Sequence, residues 1–201
     1  MRDAIKTFLE TWAKNGEPEI YNERSLQFEL GAYLKENFGQ NCKIYYEKDI
    51  YEYIKGKFSK HYPDILIVDN SKKYLVELKF LPEKANKKYG YPKRFFELLE
   101  DISFVSQLRV LDQPYFAEVL SVTVAADKKF FSKPNRSERI ESYNTNLKPR
   151  GEIFNKNYPK IQLENTSTYY ETKKGTKKKV TIEPFAIQWE KLANDFEYYI
   201  F

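Results

Sequence analysis

Residues 60–80 read KHYPDILIVDNSKKYLVELKF. Two apolar runs, 65–68 and 74–80, flank a polar cluster at 69–73. Short β-branched and aromatic runs broken by Asp, Asn and Ser predict the two strands of a hairpin. A symmetric turn centred on Asn70 and Ser71 sets Val68 opposite Lys73 and, counting outward, Asp64 opposite Glu77. Directly opposed residues share one face of a sheet, and the period of two adds Lys79 to that face. Two carboxylates and an ammonium therefore converge on one side. Opposed like charges are unfavourable unless something neutralises them, and a divalent cation is the obvious candidate.

This arrangement resembles the PD-(D/E)-x-K nuclease superfamily, whose fold is that of the restriction endonucleases. Pro63-Asp64 matches the first half of the motif and Glu77-Leu78-Lys79 the second, each on its own strand. The acid-x-Lys triplet recurs at Asp127-Lys128-Lys129 and Glu171-Thr172-Lys173, but neither copy lies in an apolar strand preceded by a Pro-Asp strand. The resemblance spans about residues 23–125. It implies an α/β fold, a mixed β-sheet flanked by helices, with a C-terminal β-hairpin and a closing helix appended. One nuclease-like domain over 1–201 is expected, its core at about 20–126. Residues 127–201 then form a polar insertion, a basic hairpin and the helix, a region suited to substrate specificity.

What the resemblance implies chemically is Mg²⁺- or Mn²⁺-dependent phosphodiester hydrolysis, most simply of double-stranded DNA. Asp64, Glu77 and the Leu78 carbonyl would hold the ion, and Lys79 would orient or deprotonate the attacking water. An early helix in this family often adds a glutamate near the metal, and Glu29 is the matching position. A catalytically inactive member that binds nucleic acid or another protein is the alternative. Against it stands the intact set of Asp64, Glu77 and Lys79. Cleavage of both strands of a duplex would call for a homodimer.

The remaining chain is consistent with this frame. In 2–14, Ile5, Phe8, Leu9 and Trp12 fall at helical spacing, and Asn15-Gly16 ends the helix. Asn22 is the expected N-cap of a second helix over 23–37, stopped near Gly39, with Leu26, Leu30, Tyr33 and Leu34 as its stripe. Glu29 borders that stripe, so its carboxylate must reach water, a partner or a metal. Residues 43–53 predict a strand or strand pair. Glu47 there is better explained as a solvated edge charge than as a site residue, and His61 as a hydrogen-bonding residue at the strand start. Residues 94–111 predict a long helix that buries Phe95, Leu98, Leu99, Ile102 and Val105, and 115–125 a buried strand.

Two basic segments suit a phosphate backbone. Lys84, Lys87 and Lys88 interleave with Tyr89 just after the motif. Lys173, Lys174, Lys177, Lys178 and Lys179 crowd the expected tip, 172–179, of a hairpin over 161–185. The last segment, 189–199, predicts a helix packed through Trp189, Leu192, Ala193 and Phe196.

Composition excludes several function classes. One cysteine, Cys42, permits no internal disulfide, fits a reducing cytoplasm, and is expected as a small core residue. One cysteine and one histidine cannot build a zinc site. No apolar run approaches the ~20 residues of a membrane span, and no cleaved leader is expected. With 41% hydrophobic and 17% aromatic residues, a folded core is expected. A net charge of +5 is compatible with a polyanion partner without specifying one.

Overall fold

The structure is a computed structural model. It describes residues 1–54, 62–81, 91–109, 111, 115–125, 160–163, 166–171, 177–182, 185–188, 190–194 and 196–201.

Helix α1 (Arg2–Asn15) buries Ile5, Phe8, Leu9 and Trp12, and Gly16 closes it at φ 74°, a left-handed geometry that costs glycine little. Helix α2 (Glu23–Phe38) begins at a reciprocal cap. The Asn22 side chain accepts the Ser25 N–H at 2.8 Å, and the Asn22 N–H donates to Ser25 Oγ at 3.1 Å. Leu26, Leu30 and Leu34 are buried along its inner face.

Strand β1 (Lys43–Tyr46) follows Cys42, which is fully buried as expected. The expected strand over 43–53 stops short. Glu47 takes φ 47°, which breaks the extended run. Asp49 Oδ1 then accepts the Tyr51 N–H at 2.8 Å to start a single helical turn, α3 (Tyr51–Ile54).

Strands β2 (Ile65–Asp69) and β3 (Lys72–Leu81) form the predicted hairpin, with Val68 opposite Lys73 and Ile65 opposite Val76. Helix α4 (Tyr91–Arg109) crosses to β4 (Glu118–Ala125), which lies parallel to β3, as a crossover connection allows. Leu98, Ile102 and Val105 are buried as expected.

The final segment corrects the sequence expectation. The described residues of 189–199 do not form a helix. They supply β9 (Glu190–Lys191) and β10 (Glu197–Ile200), and β10 pairs antiparallel with β4. A strand can bury adjacent tyrosines on opposite sheet faces, and Tyr198 and Tyr199 are both buried here. The helical spacing of Leu192 and Phe196 was misleading. The Leu192 N–H instead donates to the Phe196 carbonyl at 2.8 Å across the turn, and Phe196 packs on Trp12 and Phe80.

The main sheet therefore has the order β1-β2-β3-β4-β10-β9. On one face, α1 and α2 pack on Ile65, Ile67, Val76, Leu78, Phe80, Leu120, Val122, Val124 and Tyr198. On the other, α4 and α3 pack on Leu66, Leu75 and Val119. The result is a three-layer mixed α/β architecture.

Two smaller pairings follow β4 in the chain. Strands β5 (Lys160–Leu163) and β8 (Phe185–Gln188) pair outside β6 (Thr166–Glu171) and β7 (Lys177–Ile182). The expected hairpin is present, but its tip is shorter than predicted. Lys177, Lys178 and Lys179 belong to strand β7, in register with Glu171, Tyr170 and Tyr169. Helix α4 lies against both β6 and β7. Among the described residues no helix is long and apolar enough to cross a membrane.

Candidate active site

Strand β3 is twice as long as β2, ten residues against five. Its second half outruns its neighbour, so backbone N–H groups there need other acceptors. Two carboxylates supply them. Asp64 Oδ2 accepts the Leu78 N–H at 2.6 Å, and Glu23 Oε2 accepts the Phe80 N–H at 3.2 Å. In a strand, a residue's N–H and C=O leave on the same side, so the Leu78 carbonyl faces the same gap.

Asp64 is also held through its own main chain. Its carbonyl accepts Gln27 Nε2 at 2.7 Å and the Glu47 N–H at 3.2 Å. Thus α2, the end of β1 and β3 all fix its position. Glu47 takes part only through its backbone, and its side chain is exposed, in keeping with an edge charge.

Continuing the ladder one step beyond Ile65 and Val76 sets Asp64 opposite Glu77. Both fall on the α4 face, alternate to Ile65 and Val76, and Lys79 shares it. Glu77 is completely buried. The neighbouring strands extend this polar row, with Ser121 beside Glu77 and Thr123 beside Lys79, and Tyr199 of β10 beside Thr123. All three are buried.

Lys79 Nζ lies 3.4 Å from Glu23 Oε2 and 3.5 Å from Asp101 Oδ2. Burial pulls this ammonium toward its neutral form, but the charges of Asp101, Glu23, Glu97 and Asp64 outweigh that and hold its pKa above the ordinary lysine range. Lys79 is a cation at neutral pH. Glu23 keeps 41% of its side-chain surface accessible, while its carboxylate end is turned into the cluster. Dehydration there pushes the carboxyl above its ordinary range. The Lys79 charge opposes the shift, Asp64 adds to it, the Phe80 amide opposes it and Asp101 adds again. Complete burial raises the Tyr199 phenol, and the Asp101 charge adds to that against the hydroxyls of Thr123 and Ser121.

The structure brings together Asp64, Glu77, Leu78 and Lys79. For Glu29 the structure shows a different neighbour. Its charge acts on Tyr46 of β1, whose phenol is raised first by burial and then by Glu29. The acid that α2 presents to the motif is Glu23, in the helix's first turn, six residues earlier in the chain. Three site residues escaped sequence reasoning. Glu23 looks like an acid placed for the helix dipole, and Gln27 like a polar residue beside the apolar stripe. Their spacing of four, which stacks them on one helix face, was the available signal. Asp101 was equally visible, three residues after Leu98 and four before Val105, inside the buried stripe of α4. His61, Lys84, Lys87, Lys88, Tyr89, Lys173 and Lys174 lie outside the described residues.

The donor set of Asp64, Glu77 and the Leu78 carbonyl is all oxygen, which suits Mg²⁺ or Mn²⁺. Among the described residues no group of three or more His, Cys, Asp or Glu side chains is placed to hold a metal ion. Magnesium does not need one, since it binds through one or two carboxylates and keeps several waters. No protein-family model, curated protein or solved structure matches this chain.

Proposed function

We propose that this protein is a metal-dependent endonuclease that hydrolyses phosphodiester bonds in DNA, as PD-(D/E)-x-K enzymes do. The observation that carries the proposal is the convergence of Asp64, Glu77 and Lys79 on one sheet face, at the place where β3 outruns β2. Asp64, Glu77 and the Leu78 carbonyl would hold Mg²⁺ or Mn²⁺, with Glu23 rather than Glu29 as the nearby third carboxylate. When bound, such an ion supplies Lewis-acid stabilisation of the phosphoryl oxygens and a more acidic water.

The chain's own groups have separate tasks. The Leu78 amide, Gln27 and the Glu47 amide hold Asp64 in one orientation. Lys79, protonated at neutral pH, is suited to orient the attacking water and offset charge on the phosphate rather than to take a proton. The hairpin β6–β7, with Lys177, Lys178 and Lys179, lies against α4. With Lys84, Lys87, Lys88, Tyr89, Lys173 and Lys174 it would grip the backbone of duplex DNA. Cleavage of both strands would use a homodimer.

The test is incubation of supercoiled plasmid and of single-stranded DNA with Mg²⁺ or Mn²⁺, alongside Asp64→Ala and Lys79→Ala. The wild type should nick plasmid and both variants should not. Cleavage that survives either substitution removes the assignment of that residue. Salt-sensitive binding without cleavage would instead support a non-catalytic DNA-binding module.

A further inference from the structure

We propose that Asp101 is a positioning residue. Its carboxylate, delivered by α4, fixes the Lys79 ammonium on the face that carries Asp64 and Glu77, and so sets where that cation meets the substrate phosphate. The role rests on the nuclease reading for the reaction it serves, but the contact itself does not.

The two carboxylates beside Lys79 differ in setting. Asp101 Oδ2 is 3.5 Å from Nζ with only 6% of its side chain accessible, whereas Glu23 is 41% accessible. Glu23 is also shared, since it accepts the Phe80 N–H. Asp101 is the enclosed partner. It sits among Leu98, Ile102 and Val105, on the stripe where a helix packing onto a sheet would normally carry a leucine. An acid there needs a cation to offset its dehydration, and Lys79 provides it.

The surroundings keep the pair fixed. Thr123 and Tyr199, both buried, continue the row from Lys79 across β4 and β10 and close the sheet side of the cluster. Glu97 lies four residues before Asp101 on the same helix face, and Asp64 and Glu77 face Lys79 from the hairpin. A lysine is a point charge on a flexible four-carbon stem, so its place depends on what it is paired with. Glu23 comes from the first turn of α2, whereas Asp101 lies well inside α4.

The experiment compares wild type, Asp101→Asn and Asp101→Glu. It measures kcat and KM on a short duplex with Mg²⁺, melting temperature, and the side-chain ¹⁵Nζ resonance of Lys79, identified by its loss in Lys79→Met. Asp101→Asn should lower kcat by about 10–100-fold with little change in KM, the size expected for a misplaced catalytic group. Asp101→Glu should recover part of that loss. The Lys79 resonance should be sharp in wild type, broaden in Asp101→Asn, and sharpen again in Asp101→Glu. Wild-type kcat per folded molecule in Asp101→Asn, or an unmoved resonance, overturns the proposal. If the wild type itself cleaves nothing, the nuclease reading fails, and the resonance alone still decides whether Asp101 holds Lys79.

Discussion

The two faces of the central sheet are made of the same strands and behave as different materials. Toward α1 and α2, β3 and β4 present Val76, Leu78, Phe80, Leu120, Val122 and Val124, an unbroken apolar surface. Toward α4, the same strands begin with Leu75 and Val119 and then turn to Glu77, Lys79, Ser121 and Thr123. Burial of apolar area is the main favourable term in folding, whereas burial of charge opposes it unless each charge is paired. The α1–α2 face therefore stabilises the protein, and the charged half of the α4 face is tolerated because the other side carries it. Charges kept at that cost are where chemistry is to be expected.

The sharpest way to separate the faces is Glu77→Gln. It should reduce cleavage by about 10³-fold or more, because a charged donor to the ion is lost. Stability should hold or rise, because an isosteric amide replaces a buried carboxylate. Plasmid nicking and chemical denaturation on one preparation measure both. The opposite profile is expected of Leu120→Ala on the apolar face. It should cost about 2–5 kcal/mol of stability while leaving cleavage per folded molecule unchanged.

Lys79→Met tests the pairing within the polar face. In the wild type the folded lysine is held above its ordinary 10.5 by carboxylate charges, so while those are ionised its stabilisation is complete below that value, and it is lost as pH rises through the folded pKa. Glu23 is also raised above its ordinary 4.5, so its favourable contribution is present below 4.5 and fades as pH rises through its folded value. Without the Lys79 cation, the Glu23 carboxylate must ionise without the charge that opposes its dehydration. The variant should match wild type in acid and fall behind by about 2–4 kcal/mol as pH rises toward neutral, the size expected on breaking a buried pair. Equal denaturation midpoints at both pH values would contradict the pairing.

A smaller effect separates two acids of one helix. Glu23→Gln should impair cleavage measurably, whereas Glu29→Gln should leave both activity and stability within about 0.5 kcal/mol of wild type. Smallest of all, Asn22→Ala should cost about 1 kcal/mol by removing the cap of α2. It should lower the melting temperature before it touches the chemistry.

The hairpin was legible because its period of two and its symmetric turn leave one register, and that register alone pairs Asp64 with Glu77. Helices α1 and α2 were legible from stripe and cap together. The C-terminal strand was not. Four residues, Glu197–Ile200, are too few to display a period, and Leu192 and Phe196 just before them mimic a helical repeat. Its pairing with β4 is a contact between distant parts of the chain, and it is what brings Tyr199 to the site. Glu23 and Asp101 were hidden for another reason. Glu23 occupies a position with an ordinary local explanation and Asp101 an unexplained place in an apolar stripe, and only the tertiary approach of α2 and α4 to Lys79 shows what the two share.

The most direct measurement is a Mn²⁺ titration followed by amide NMR, which needs no substrate. Ion binding between Asp64 and Glu77 should broaden the Leu78 and Phe80 amides first, at substoichiometric Mn²⁺. Excess Mg²⁺ should reverse the effect, and Glu77→Gln should abolish it. Leu78 and Phe80 resonances that stay sharp while others broaden, or broadening that persists in Glu77→Gln, would contradict a shared cation at this end of the hairpin.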